Sequence, residues 1–247
     1  MKIAIVTMWY NEEYLANYFL RQYNYVDEIC ILLDSDTNDH TFEICSNYPN
    51  VKIESFTFKE GFDDILKQKK INDVVKTKKG FDWVFVLDAD EFIFLSGGED
   101  PKEFLRQQTG NVMVAKMWQV YRYKTDSDLN SWDAPFMQRQ HGDPNLSGFN
   151  SNWVKPVIIK PEVVVEWSVG CHRILETQIE QRLCKDFFLG SHWANADPEL
   201  AIQRRLVSKA RQSRSNIEHQ YQSHNHNITE EKIRKLCKEH ENDPKLF

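Results

Sequence analysis

Three acidic side chains in four residues, Asp88-Ala89-Asp90-Glu91, stand between the apolar runs "WVFVL" and "FIF". Charge at the exit of a buried strand is costly unless something offsets it. Asp88 and Asp90 are two residues apart, which puts both on one face if the strand continues and lets both address one ion if the chain turns. Hard divalent cations such as Mg²⁺ and Mn²⁺ take oxygen ligands and are commonly held by one or two carboxylates together with substrate phosphates. The pair therefore suggests a metal that brings in a phosphorylated ligand. The commoner use of an Asp-x-Asp is to cap or turn the chain.

The position of the motif favours the chemical use. It follows the fourth strand of a pattern that alternates strand and helix from residue 1 to about 95. "KIAIVTMW" is a β-branched apolar strand, "NEEYLANYFLRQYNY" has helical periodicity, and "EICILLD" is a strand again. "DHTFEICSNY" reads as helix, "VKIESFTF" as strand, residues 63 to about 78 as a longer polar helix and "DWVFVLD" as strand. Such alternation predicts an α/β fold with a mostly parallel central sheet flanked by helices, and ligands bind at the carboxyl ends of such strands. The first strand ends in "TMWYNEE" and the second in "LLDSDTNDHT". Thr7, Asn11, Asp34, Asp36, Asp88 and Asp90 then describe one crevice with base- or sugar-binding acceptors near a metal site.

Beyond residue 110 the pattern changes. "VMVAKMWQVYRY" and "KPVIIKPEVVVEWSV" read as β, separated by an irregular stretch, 124 to 152, which is the expected acceptor loop. Helices are expected to return near Pro198, as "PELAIQRRLVSKARQSR" capped by Asp197 and "TEEKIRKLCKEH" capped by Thr229. The intervening "SNIEHQYQSHNHN" reads as a polar loop. The chain divides accordingly into two halves of one domain (1–95 and 96–197) and a C-terminal helical extension (198–247).

Composition narrows the classes. The 247 residues are 41% apolar and 13% aromatic, ordinary for a globular protein with a full core. A net charge of −6 argues against nucleic-acid binding. The basic stretch "RRLVSKARQSR" (204–214) could touch an anionic surface, a peripheral membrane contact among them, and is more often a solvated helix face. The five cysteines have no Cys-x-x-Cys pair, which suggests buried thiols and not a disulfide framework or a zinc site. No run approaches the roughly 18 apolar residues of a membrane span and no signal peptide opens the chain, so the expected location is cytoplasmic.

These residues carry a resemblance. "VTMWYNEEYL", "LLDSDTNDHT" and "DWVFVLDADEF" resemble the opening strand, the Asp-x-x-Ser-x-Asp-x-Thr element and the Asp-x-Asp element of family 2-like, nucleotide-sugar-dependent glycosyltransferases of the GT-A fold, whose relatives read Asp-Ala-Asp-Glu-Phe. The second element departs from the pattern at Thr37 and Asn38. The resemblance implies a Rossmann-like sheet and transfer of a sugar from a nucleoside diphosphate, UDP above all, to a hydroxyl of a glycan or a lipid-linked acceptor, with Mn²⁺ or Mg²⁺ as cofactor and an inverting outcome. It implies Asp34 at the base with Thr7 beside it, and Asn11, Asp36, Gln68, Asn72, Asp88, Ala89, Asp90 and Lys155 on the donor side. A C-terminal histidine completes the metal site in such enzymes; His192 is the first candidate and His172 the second, joining Asp90 and Asp88. A carboxylate must take the acceptor's proton, and Asp133, Asp143, Glu166 and Glu176 are available, of which Asp133 and Glu166 are carried forward. Arg139 and Arg173 are candidate phosphate or acceptor contacts, and Trp118, Trp132, Trp153, Trp167 and Trp193 could stack on sugars or fill the core. Two other readings stay open: a sugar-phosphate nucleotidyltransferase, which usually has a Gly-rich basic loop where this chain has "TMWYNEEYL", and a non-catalytic carbohydrate-binding protein of the same fold.

Overall fold

The computed structural model describes residues 1–143, 154–177 and 179–247. The strands are β1 (Ile3–Trp9), β2 (Glu28–Asp34), β3 (Val51–Phe56), β4 (Trp83–Val86), β5 (Glu91–Phe94), β6 (Val112–Tyr121), β7 (His141–Gly142), β8 (Val154–Ile159), β9 (Val164–Trp167), β10 (Ile174–Thr177) and β11 (Phe188–Asn195). The helices are α1 (Glu13–Gln22), α2 (Thr41–Ser46), α3 (Asp64–Thr77), α4 (Pro101–Arg106), α5 (Pro135–Gln138), α6 (Pro198–Arg211), α7 (Arg214–Glu218), α8 (Ser223–His226) and α9 (Glu230–Glu239).

The expected α/β architecture is present. Among the described residues, nine strands join one sheet in the order β3-β2-β1-β4-β8-β6-β11-β5, with β7 on β6. The first four are mutually parallel, and β6 and β11 run parallel to each other; β8 and β5 are antiparallel insertions. Every residue of β1 and β2 is buried, which is why both read as unbroken apolar runs: parallel strands are covered on both faces. β9 and β10 form a separate hairpin against α3. One hydrophobic core runs from Ile3 to Leu200, and a smaller cluster joins Ala201 and Ile202 to Ile228, Ile233 and Cys237 of the C-terminal segment.

The predicted helix starts hold. The Asp63 carboxylate accepts from the Leu66 N–H, Asp197 from Glu199 and Leu200, and Thr229 from Lys232. Four short helices were not expected, α5 within the 124–152 stretch among them. The 215–227 stretch holds α7, capped by Ser213, and α8 in place of a loop, and α4 begins at Asp100-Pro101. Each is too short for its periodicity to register; side chains of Ser213 and Asp100 cap α7 and α4, whereas α8 has no side-chain cap.

Candidate active site

The motif is a turn fastened from several directions. The Asp88 carbonyl accepts from the Glu91 N–H at 3.1 Å, and the Asp88 N–H donates to Glu91 Oε2 at 3.0 Å. The other Glu91 oxygen, Oε1, pairs with the Lys155 ammonium, and both side chains are buried. Glu91 thus meets a backbone amide and a cation together and shapes the turn from beneath. The Trp193 N–H donates to the Asp90 carbonyl at 2.8 Å, tying the turn to β11, and Ala89 packs into the core.

Asp88 Oδ1 lies 2.6 Å from the Lys67 ammonium of α3. Burial would push the Asp88 carboxyl up, but Lys67 and Lys155 outweigh it and hold the group below the usual carboxylate range. The two lysines, Lys155 buried and Lys67 partly so, are desolvated but face Asp88 and Glu91, which hold them above the ordinary range. Asp88, Glu91, Lys67, Lys155, Gln68 and Cys171 line one small cavity. A larger hollow lies at the amino ends of β1 and β4, around Met1, Asp82, Trp83, Arg106 and Lys160.

Asp90 faces the other side of the turn. Its Oδ2 is 3.7 Å from His192 Nε2 and 3.2 Å from Arg204 Nη2. Burial pushes the Asp90 carboxyl up, and Arg204, joined by His192 when its ring is protonated, outweighs it and holds the group below the usual range. Gln119 of β6 orients the histidine: Nε2 donates to the His192 carbonyl at 3.0 Å, and Oε1 lies 2.8 Å from Nδ1. An acceptor facing Nδ1 makes that nitrogen the donor, so in the neutral ring the Nε2 lone pair is directed toward Asp90.

α6 closes the crevice. The other end of the Arg204 guanidinium pairs with Glu12 Oε2, at the start of α1. Burial, with Asp90 and Asp88 nearby, pushes Glu12 up to about 7 against the pull of Arg204. Two helical turns on, Arg211 Nη2 is 2.5 Å from Asp34 Oδ2 and 3.9 Å from Asp36, and its guanidinium lies 3.4 Å over the Tyr10 ring. The other Asp34 oxygen accepts from the Asp36 N–H at 3.0 Å.

The carboxyl ends of β1, β2 and β4 therefore bring together Asp34, Asp36, Asp88 and Asp90, with Lys155 beneath and His192 across. Other candidates are tied up in the fold, although Gln68 also lines the Asp88 cavity. Thr7 is fully buried, and its hydroxyl accepts the Trp9 indole N–H at 2.8 Å. Asn11 clamps two loops through paired bonds with Asn38. Gln68 and Asn72 are buried and hold the β9–β10 hairpin, bonding to each other, to the Cys171 thiol and to the Trp167 N–H. His172 sits on that hairpin against Gly170.

Neither carried-forward carboxylate is brought to Asp90. Asp133 is exposed and bonded to Asn130, in the loop that packs on Arg21 at the far end of α1. Glu166 is exposed on β9, on the side away from buried Trp167. Asp143 follows β7, and the Glu176 side chain lies outside the described residues, as do Trp153 and the 144–152 part of the expected acceptor loop. Arg139 is buried and donates to the carbonyls of Ala196, Ser127 and Gln138, and Arg173 is exposed. Trp167 and Trp193 fill the core, Trp118 packs on Phe247, and exposed Trp132 stacks on Arg21.

Lys67, Gln119, Glu12, Arg204 and Arg211 were not singled out from sequence. The signal for the arginines was their spacing: seven residues on one helix put both side chains on the same face.

The residues fit a divalent cation in part. Asp90 Oδ2 and His192 Nε2 converge, with Gln119 fixing the ring as outer partners of metal ligands do. Among the described residues no group of three or more His, Cys, Asp and Glu side chains is placed to hold a metal, so the remaining ligands would have to come from bound phosphate and water.

No family model matches the chain, and no curated protein matches it. Among solved structures it is similar to S. aureus TarS 1–349 in complex with UDP-GlcNAc, at 16% identity over 87% of this chain and 68% of that one, with a TM-score of 0.49. It spans 39% of the longer S. aureus TarS structure. It is also similar to glucosyl-3-phosphoglycerate synthase from Mycobacterium tuberculosis in complex with Mn²⁺, UDP and phosphoglyceric acid, at 15% identity over 48% of this chain and 43% of that one (TM-score 0.31). A third likeness is to 4-diphosphocytidyl-2C-methyl-D-erythritol synthase, at 11% identity over 67% and 78% (TM-score 0.38).

Proposed function

We propose that the protein is a nucleotide-sugar-dependent glycosyltransferase of the GT-A kind, acting on a nucleoside diphosphate sugar, UDP-linked above all, and a glycan or lipid-linked hydroxyl. The observation that carries this reading is the approach of Asp90 and His192, 3.7 Å apart, at the carboxyl edge of β4, with Asp88 on the other side of the same turn and Asp34 at the end of β2. The sequence resemblance assigns those aspartates to the donor, and a crevice at a parallel strand edge is where such a ligand binds.

Asp90 and His192, with Asp88 alongside, would hold the divalent cation, whose chemistry is to neutralise charge on the departing diphosphate. The chain's own contribution is electrostatic preorganisation. Lys67 and Lys155 fix Asp88 and Glu91 before any ligand arrives, so the turn need not reorganise during reaction. Asp88, the more exposed of the two motif aspartates, is placed to accept hydrogen bonds from donor hydroxyls. An inverting outcome needs a carboxylate at the acceptor, and neither Asp133 nor Glu166 stands beside Asp90, so the base is sought among residues nearer the turn.

The test is hydrolysis and transfer with a panel of nucleotide sugars, with and without Mn²⁺. Cation-dependent release of nucleoside diphosphate is expected from wild type and is abolished in Asp90→Ala with the circular-dichroism spectrum retained. Pyrophosphate release from triphosphates would support the nucleotidyltransferase instead, and undiminished donor turnover by Asp90→Ala would sink the site assignment.

A further inference from the structure

Two of the acidic positions that the donor and its cation would use already carry a guanidinium from the same helix. Arg204 and Arg211 are two turns apart on α6; one holds Asp90, the other Asp34. These contacts are built into the fold. α6 packs along β11, and its last carbonyl, that of Arg211, accepts the Phe62 N–H at 2.6 Å while the Ser213 N–H donates back to Phe62 at 2.9 Å. Arg204 also has two anchors: one end of its planar fork is on Glu12, the other on Asp90.

We propose that Arg204 is the donor site's internal counter-ion: it occupies Asp90 Oδ2 until a divalent cation takes that oxygen, then, pivoting on Glu12, turns its freed end to the diphosphate of the donor. The inference rests on the donor-site reading above. Physically, one carboxylate oxygen cannot serve a guanidinium at 3.2 Å and a divalent ion at full strength, because the two cations repel each other and compete for the same lone pairs. Glu12 keeps Arg204 in the crevice after the exchange. A guanidinium then free at one end suits a phosphate, which it can bind through paired N–H donors. The carboxylates of Asp34, Asp36, Asp88, Asp90 and Glu91 outnumber the cations Lys67, Lys155, Arg204 and Arg211. An anionic donor alone would therefore be repelled, and cation and donor should bind together.

The exchange predicts opposite effects of one substitution on two ligands. In Arg204→Met, Mn²⁺ alone, measured by electron paramagnetic resonance of the free ion, should bind about tenfold tighter or more, since an opposing charge has been removed from its ligand. UDP in saturating Mn²⁺, measured by calorimetry, should bind about tenfold weaker or more, since a charge-assisted phosphate contact is gone. Uridine in the same buffer should be unaffected. Arg204→Lys keeps the charge and the stem but cannot span both carboxylates. Paired with Glu12 alone it leaves Asp90 Oδ2 open, so it should move both affinities in the same directions by a smaller factor, and it decides the question if Arg204→Met does not fold. Unchanged or weaker Mn²⁺ binding in the folded variants overturns the exchange, and unchanged UDP binding overturns the phosphate contact. If wild type binds neither UDP nor GDP, CDP or ADP with Mn²⁺, the glycosyltransferase reading fails and takes the phosphate contact with it, while the Mn²⁺ measurement still decides the competition at Asp90.

Discussion

Glu91 and Lys155 are the buried pair on which the motif turn rests, and breaking it should be felt in stability before it is felt in chemistry. Glu91 is 1% exposed and Lys155 7%. Glu91→Gln keeps an oxygen for the Asp88 N–H but removes the charge opposite the Lys155 ammonium, leaving a buried cation with only Asp88 to oppose it. Removing one partner of such a pair costs about 3–5 kcal/mol. Residual attraction from Asp88 places the expected loss at the lower end, about 3 kcal/mol, or a fall in melting temperature of roughly 6–12 °C for a chain of this size. Urea and thermal denaturation at pH 7, followed by near-ultraviolet circular dichroism, measure it. Lys155→Met should cost a similar amount, and the double variant Glu91→Gln/Lys155→Met clearly less than the sum of the two, because the second change removes the stranded charge. Strict additivity, or a Glu91→Gln variant within about 0.5 kcal/mol of wild type, would refute the account of the turn, since that is the usual range of a surface change away from any such pair.

Two further perturbations probe the way α6 closes the crevice. The Glu12 carboxyl is pushed up to about 7 in the folded protein, against about 4.3 when unfolded. The folded state then holds more protons between those values, so stability falls as pH rises from about 4.5 to 7 and levels beyond. Glu12→Gln should flatten that decline in urea midpoints, and parallel curves for wild type and variant across pH 5–7.5 would contradict it. Gly61 has φ +86°, and a Cβ there would lie 2.5 Å from the Arg211 carbonyl oxygen that accepts the Phe62 N–H. Gly61→Ala should cost about 1–3 kcal/mol by backbone strain and loosen the end of α6; an unchanged melting temperature would show the close approach to be unimportant.

The legible and illegible parts of the site differ in how far apart the partners lie in the chain. Asp88 and Asp90 could be read because a buried strand and its polar exit are contiguous, and Asp34 for the same reason at the end of β2. Glu91 could be recognised only as a group wanting an amide or a cation; the structure supplies both, the amide from three residues away and the cation from 64. Thr7 looked like a crevice residue because it lies near the end of an apolar strand, but β1 is covered on both faces, and the Thr7 hydroxyl is taken by the Trp9 indole two residues on. Gln68 and Asn72 share a helix face four residues apart, as their spacing implies, and that face meets the hairpin.

Sequence alone determined the α/β alternation, the strand-end carboxylates, the helix start at Asp63 and the caps at Asp197 and Thr229, since each is decided by neighbours within one element or one turn. Only the tertiary structure decided what those carboxylates face. Arg204 meets Glu12 across 192 residues and Arg211 meets Asp34 across 177. Read locally, residues 204 to 214 are a basic helix face of the kind that water usually covers. The packing of α6 along β11, and the tie between its last turn and Phe62, turn that face into the crevice. No spacing rule along the chain encodes that docking, because it depends on apolar surfaces contributed by several distant elements at once.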